Sequence, residues 1–261
     1  MTPLVEVQNF SLQFEFAKRD TLSNISFTLQ QGESLLILGP SGCGKSTLTL
    51  CLNGLYPREL DGSISGEMII NGKSTSSYQP GELSRIVGVV FQDPETQFCM
   101  LTVEDEIAFG LENILVPREE IEDRIDYALR LVNMEEYKQS TISTLSGGQK
   151  QKLALACILA MKPNLLILDE PTANLDPMAR KDLIQTIGQL KQDIGFSLII
   201  IEHQLDQWTD LAERCLLFNK LGSVFYDGSL RQAIRVIENK IKEEGIWLPK
   251  ITQQVLPYIS P

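Results

Sequence analysis

The stretch from Leu4 to Phe16 sets apolar residues at Val5, Val7, Phe10, Leu12, Phe14 and Phe16, and Ile25 to Leu29 alternates again before Gln31 and Gly32. A period near two is that of a strand with one buried face, so both segments predict half-exposed strands. Ser34 to Leu38 differs, being a nearly continuous apolar run that enters a glycine-rich loop, with helix-compatible residues from Ser46 to Leu52. That order predicts a buried strand, a loop and a helix. Between Gly62 and Lys73, short alternating pieces carry Ile64, Met68, Ile69 and Ile70. They predict a small β subdomain of antiparallel strands turning at Gly66 and Gly72.

Ile86 to Phe91 reads as another buried strand, while Val103 to Val116 and Arg118 to Glu136 place apolar residues such as Ile121, Ile125 and Leu129 at helical spacing. The two helical stretches predict an inserted helical region. Gln149 to Met161 and Met178 to Leu190 are predicted helices, and Leu165 to Leu168 and Ser197 to Ile201 are predicted strands. Strands alternating with helices imply a parallel sheet and so an α/β fold. Ser229 to Glu244 reads as a charged amphipathic helix, and Ile246 to Pro261 has three prolines and no period.

At 261 residues and 43% hydrophobic content, the chain is long enough for one packed domain with a subdomain. A net charge of −11 opposes nonspecific binding to phosphate backbones, so no nucleic-acid partner is expected. Cys43, Cys51, Cys99, Cys157 and Cys215 show no paired spacing, which fits a reducing cytosol. Met1 to Phe10 lacks the basic start and apolar run of a signal peptide. The longest apolar stretch, Leu153 to Met161, is half of the roughly 20 residues a membrane helix needs.

Gly39, Pro40, Ser41, Gly42, Cys43, Gly44, Lys45, Ser46 and Thr47 fit the phosphate-loop pattern, in which glycines let consecutive backbone N–H groups surround phosphates. In that pattern Lys45 reaches the β and γ phosphates, Ser46 offers its hydroxyl to Mg²⁺, and the next helix adds partial positive charge. A phosphate chain of at least three phosphates with Mg²⁺ is therefore the expected ligand, which the resemblance given next makes ATP; a flexible turn is the plainer alternative. Leu165 to Leu168 leads to Asp169 and Glu170, two carboxylates at the carboxyl edge of the sheet, where phosphate sites form. Asp169 is expected to hold Mg²⁺ and Glu170 to orient an attacking water, whereas the pair taken alone also suits a solvated helix cap. Leu145, Ser146, Gly147, Gly148 and Gln149 then open a helix far along the chain from the phosphate loop.

This last run resembles the signature sequence of ATP-binding cassette (ABC) proteins, and the resemblance extends over nearly the whole chain. It implies a P-loop NTPase nucleotide-binding domain with a RecA-like core, an antiparallel β subdomain and an inserted α-helical subdomain. The implied limits are 1–228 for the domain, with the helical subdomain at 99–160, and 229–261 for a C-terminal helix and tail. Ser146, Gly147, Gly148 and Gln149 would bind the γ phosphate held by an opposing copy. Phe14 falls where an aromatic ring stacks on adenine, with Phe16, or a core role for Phe14, as alternatives. Gln92 matches the Q-loop glutamine that reaches Mg²⁺ and water. Asn174 to Asp176 match the D-loop of the dimer seam, and also read as a polar turn before a helix. His203, the single histidine, matches the switch histidine that contacts the γ phosphate. Glu170, His203 and Gln92 form the expected catalytic set, and Ser46, Gln92 and Asp169 the metal set.

Gln92 to Phe98, followed by Thr102 to Asn113, further resembles the ATPase subunits of energy-coupling factor importers. That resemblance implies a homo- or heterodimer of cassettes at the cytoplasmic face of the membrane. The pair would sit beneath a transmembrane scaffold that engages it through coupling helices and carries a membrane subunit for a vitamin, vitamin precursor or metal ion. Asp93, Glu95, Asp105 and Glu106 would meet arginines of a coupling helix or form a solvated face. A conventional ABC transporter ATPase and a soluble cassette acting on DNA or ribosomes are the alternatives. The latter usually carry coiled coils, basic linkers or two cassettes.

Overall fold

The computed structural model describes residues 2–56, 62–79, 81–203 and 208–233. In chain order the first elements are β1 (Val5–Phe14), β2 (Leu22–Leu29), β3 (Ser34–Leu38), α1 (Lys45–Leu52), β4 (Gly62–Ile70), β5 (Lys73–Ser74) and β6 (Val87–Val90). They are followed by α2 (Val103–Asn113), α3 (Arg118–Leu131), α4 (Gly147–Ala160), β7 (Leu165–Asp169), α5 (Pro177–Ile194), β8 (Ser197–Glu202), β9 (Arg214–Phe218) and β10 (Val224–Ser229). The chain divides into two units, Met1–Tyr78 with Ser197–Pro261, and Gln79–Phe196. The class is α/β, as the alternation of apolar runs and helical periods predicts.

In the first unit an antiparallel sheet runs in the order β2-β1-β4-β5. Its buried face is the alternating set of β1, with Val5, Val7, Phe10 and Leu12 at most 5% exposed. The alternation shifts by one residue at Asn9, which has φ 46 and lies within the register shift between Val7 and Phe10. This bulge keeps Phe10 and Leu12 on the buried face. The turn expected at Gly66 is absent, because β4 runs unbroken through it. Gly66 is at φ +77, and a Cβ there would lie 2.3 Å from the Asn9 carbonyl oxygen, so it marks the place where β4 faces the bulge of β1. The turn at Gly72 is present: Asn71 and Gly72, at φ 51 and 74, close a two-residue hairpin between Ile70 and Lys73.

The same unit holds the central strand β3, parallel to β8 on one side and β9 on the other, with β10 antiparallel to β9. Leu35 to Leu38 are covered on both faces, as a continuous apolar run requires. The sequence pattern did not predict β9 and β10. Arg214 at the start of β9 clamps them: its Nε and Nη2 donate to the Asp227 carboxylate at 2.6 and 2.7 Å, and Nη1 donates to Glu33 Oε1 at 2.9 Å. Part of the helix expected over Ser229–Glu244 lies outside the described residues, and Ser229 itself ends β10.

The second unit pairs β6 with β7 in parallel, Val87 opposite Leu165 and Val90 opposite Leu168. Helices α2, α3 and α4 pack on one another. Val103, Ile107 and Leu111 recur every fourth residue on the buried stripe of α2, and meet the class of apolar residues that α3 buries at Ile125 and Leu129. Gly88 of β6 admits α4 closely, since a Cβ there would lie 2.1 Å from Ile158 Cγ2.

Candidate functional site

In the first unit, β3 delivers the chain to Gly39 at the carboxyl edge of the parallel strands, and α1 starts six residues later. Two glycines set the shape of the loop. A Cβ at Gly39 would lie 2.7 Å from Phe218 Cβ, and one at Gly44, which has φ +97, would lie 2.6 Å from the Thr21 carbonyl oxygen. Neither position accepts a side chain. Gly44 caps α1 without a side-chain hydrogen bond, and no acid stands in its first turn. The first N–H groups of α1 are thus left without a protein carboxylate or hydroxyl, the condition for holding an anion. Lys45, 4% exposed, curls back so that Nζ donates to the Gly39 and Pro40 carbonyls at 2.9 and 3.1 Å. Its charge therefore sits within the loop. Cys43 is buried, while Ser41, Gly42 and Ser46 are exposed and Pro40 and Thr47 half-buried. This cradle fits a phosphate chain, and the exposed Ser46 hydroxyl fits a hard cation beside it.

His203 follows β8, whose last residue Glu202 is registered with Leu38 of β3. It is half-buried and emerges at the sheet edge that Gly39 leaves. Phe14 is engaged edge-on by Tyr56, with ring centroids 6.0 Å apart and planes at 86°, whereas Phe16 is 92% exposed. Of the two rings considered for stacking, Phe14 is half-buried and Phe16 is exposed.

In the second unit Asp169 ends β7 and is 4% exposed. Glu170 follows at φ 50, a left-handed conformation that costs a non-glycine residue energy, and its carbonyl accepts the Ala173 N–H at 3.1 Å. Gln92 leaves the neighbouring strand β6 and is exposed, so the structure brings Gln92, Asp169 and Glu170 to one edge of the β6–β7 pair. The loop beyond Gln92 is braced by two residues the motif reading did not assign this role. Gln97 accepts the Phe91 N–H at 3.1 Å and donates to the Val89 carbonyl at 3.2 Å, so it extends the β6 edge. Glu106, buried at 7% exposure, accepts the N–H groups of Cys99 and Met100 at 2.8 and 2.7 Å. Its carboxylate is thereby turned inward, so Glu106 belongs neither to the solvated face nor to the coupling-helix contact expected of it.

Ser146 caps α4 through a reciprocal pair: Gln149 N–H donates to Ser146 Oγ at 3.3 Å, and Ser146 N–H donates to Gln149 Oε1 at 2.8 Å. Ser146 and Gly147 remain exposed. A Cβ on Gly148 would lie 3.0 Å from Ala179 Cβ, so this helix tip rests against the start of α5. Asp176 caps α5, accepting the Met178 and Ala179 N–H groups at 2.9 and 3.1 Å. A cavity of about 420 Å³ opens among Gln92, Glu95, Lys150, Gln151, Asn174 and their neighbours. No group of three or more His, Cys, Asp or Glu among the described residues forms a metal cluster. The Mg²⁺ set expected from the sequence needs none, since it combines the Ser46 hydroxyl, the Gln92 amide oxygen and the Asp169 carboxylate.

The ABC transporter family model matches residues 22–173, a span that includes the phosphate loop, the Ser146 helix and the Asp169–Glu170 pair. The chain belongs to the ABC transporter family. It is 48% identical over 249 residues to a protein of Bacillus subtilis (strain 168) named for HMP/thiamine import ATP binding, covering 95% of this chain and 46% of that protein. An ABC transporter ATP-binding protein of Methanosarcina mazei is 40% identical over 250 residues, again with only 42% of that protein covered. This ABC chain thus spans less than half the length of those two relatives. A Pyrococcus abyssi ABC transporter ATP-binding protein is 38% identical and is covered over 87% of its length. Among solved structures, cbiO1 from Clostridium perfringens, described as part of the ABC transporter complex cbiONQ, superposes with a TM-score of 0.80 at 30% identity. The match covers 98% of this chain and all of that one. Like its relatives, this ABC chain is an ATP-binding domain, and among its described residues no helix is long and apolar enough to cross a membrane.

Proposed function

We propose that this ABC domain hydrolyses ATP to power uptake of a small molecule, as the ATPase subunit of an energy-coupling-factor-type importer. The observation that carries the proposal is the uncapped start of α1 behind the Gly39–Gly44 loop, with Lys45 folded into it. Backbone N–H groups and the Lys45 ammonium neutralise the phosphates, while Phe16 or Phe14 supplies a ring for the adenine. Ser46, Asp169 and Gln92 would hold Mg²⁺, and the ion would supply charge neutralisation on the phosphate oxygens. Glu170 orients the attacking water and draws off its proton, and His203 steadies the departing phosphate oxygens. Ser146 and the Gly147–Gly148 backbone offer a second helix tip to the nucleotide of an opposing cassette, with Asp176 at that seam.

The importer assignment is supported by the likeness to the HMP/thiamine import protein and to cbiO1 of the cbiONQ complex. A thiamine precursor is accordingly the first compound to test, with other vitamins and metal ions after it. The membrane partner is a scaffold at the cytoplasmic face, reached through the acidic turn containing Asp93 and Glu95. Replacing Glu170 by Gln should leave MgATP binding intact, lower hydrolysis by about a hundredfold or more, and trap a dimer in ATP. Turnover within a few fold of wild type, measured by phosphate release, would remove Glu170 from its role. Isolation of the tagged chain from membranes should bring a multi-span scaffold with it.

A further inference from the structure

The loop between β1 and β2 carries two cations without a protein partner. Lys18 and Arg19 are exposed, and among the described residues neither forms an ion pair or a side-chain hydrogen bond. Lys138, Lys150, Lys152 and Arg214 differ, since each of those charges meets a carboxylate. Glu15 and Asp20 belong to the same loop as Lys18 and Arg19 but pair with neither. Both cations thus keep all their donors for something outside the fold.

The loop is tied at both ends. Ala17 N–H donates to the Phe14 carbonyl at 2.9 Å, and Gln13 Nε2 donates to the Ala17 carbonyl at 2.8 Å. Thr21 N–H donates to the Leu12 carbonyl at 2.8 Å. The Thr21 carbonyl oxygen is also the atom that a Cβ on Gly44 would meet at 2.6 Å, so the far end of the loop abuts the phosphate cradle. Lys18 and Arg19 therefore stand in the chain between the rings Phe14 and Phe16, either of which suits the base, and the cradle at Gly44. In a nucleotide, the part between the base and the β and γ phosphates is the ribose with the α phosphate, and only the α phosphate is charged. At most about 7 Å of extended chain separates the Arg19 and Thr21 Cα atoms, a gap that either long side chain can bridge.

We infer that Lys18 and Arg19 are nucleotide-binding residues that close on the α phosphate, Arg19 as a planar two-point donor and Lys18 as a single charge. The inference rests on the reading of the Gly39–Gly44 loop as an ATP site, to which it adds a contact from outside that loop. Glu15 and Asp20 balance the two positive charges, so the loop has no net field at a distance, and the pair acts by contact instead of by steering. Because ATP, ADP and AMP share the α phosphate, the contact strengthens all three alike and leaves adenosine untouched.

The test compares the affinities of the full chain for ATP, ADP, AMP and adenosine, each by competition against labelled ATP. Arg19→Gln and Lys18→Gln should each weaken the three nucleotides by a common factor of roughly two- to fivefold, the strength of an exposed charge pair, and leave adenosine unchanged. In steady-state hydrolysis the same factor should appear in KM and not in kcat, since the contact is equal in ground and transition states. Arg19→Lys should recover part of the loss. Lys220→Gln removes another exposed cation of the same unit and should change none of the affinities. Melting temperatures should stay at the wild-type value, because neither side chain has a protein partner to lose. A loss seen with ATP and ADP but not with AMP would move the contact to the outer phosphates, and an equal loss with adenosine would move it to the ribose or base. An equal loss in Lys220→Gln would make the effect one of bulk charge, and unchanged ATP binding would leave no contact at all. Each of these four results overturns the inference. A wild-type chain that bound no ATP would instead defeat the nucleotide reading itself.

Discussion

Glu170 combines the strongest functional expectation in the sequence with a backbone conformation that the sequence does not display. At φ 50 it pays a cost that glycine would avoid, on the order of 1 kcal/mol. Glu170→Ala and Glu170→Gly both delete the carboxylate, but only glycine relieves the backbone. The glycine variant should therefore be more stable than the alanine variant by about 1 kcal/mol in urea unfolding, with both equally inactive. Equal stabilities would mean that the left-handed turn carries no strain. The roles proposed for Lys45, Ser46 and Asp169 were legible as residue type and order within the motifs. Their surroundings were not. Nothing in the run Phe14 to Phe16 says that Tyr56 meets the first ring while the second stays exposed, because that contact is made across 42 residues by the fold.

Among the elements, those announced by an uninterrupted period were read closely, including β3, β7 and α2, since burial on one or both faces imposes the pattern directly. Two failures share a cause in pairing that sequence does not show. Gly66 looks like a turn but sits inside β4 because the Asn9 carbonyl fills the place of its side chain. β9 and β10 were missed because a short apolar run from Cys215 to Phe218 is followed by polar residues, and the edge is secured by the charged fork of Arg214 on Asp227 instead of by apolar alternation. The start of α4 separates structural from functional demand. Aspartate caps a helix as well as serine does, so Ser146→Asp should keep stability within about 0.5 kcal/mol of wild type. The same change sets a carboxylate where a phosphate is expected, and ATP hydrolysis should drop at least about tenfold. Full activity in that variant would show that the helix tip never meets nucleotide.

For the whole molecule, the family and the class of reaction were legible because three separated motifs must coexist for this chemistry, whereas the transported compound was not, since in the proposed assembly it meets other subunits. Bulk properties of the chain yield one further expectation. Burial pushes the Cys51 and Cys215 thiols up from 9.0 to about 12. Their folded values exceed the unfolded ones, so the stability they contribute is complete below pH 9 and is lost as pH rises from 9 toward 12. Urea midpoints should hold steady up to pH 8.5 and decline above it, and maleimide at pH 8 should label exposed Cys99 well before either buried thiol. Labelling of Cys51 or Cys215 at the rate of Cys99 would contradict their burial. The close seat of Ile158 on Gly88 has a mechanical meaning for the same scaffold. It pins the rear of α4 to a strand and leaves the front, twelve residues or roughly 18 Å ahead, as the long arm of a lever, so that rocking about this fulcrum by about 5° swings the Ser146 end through more than ~1 Å.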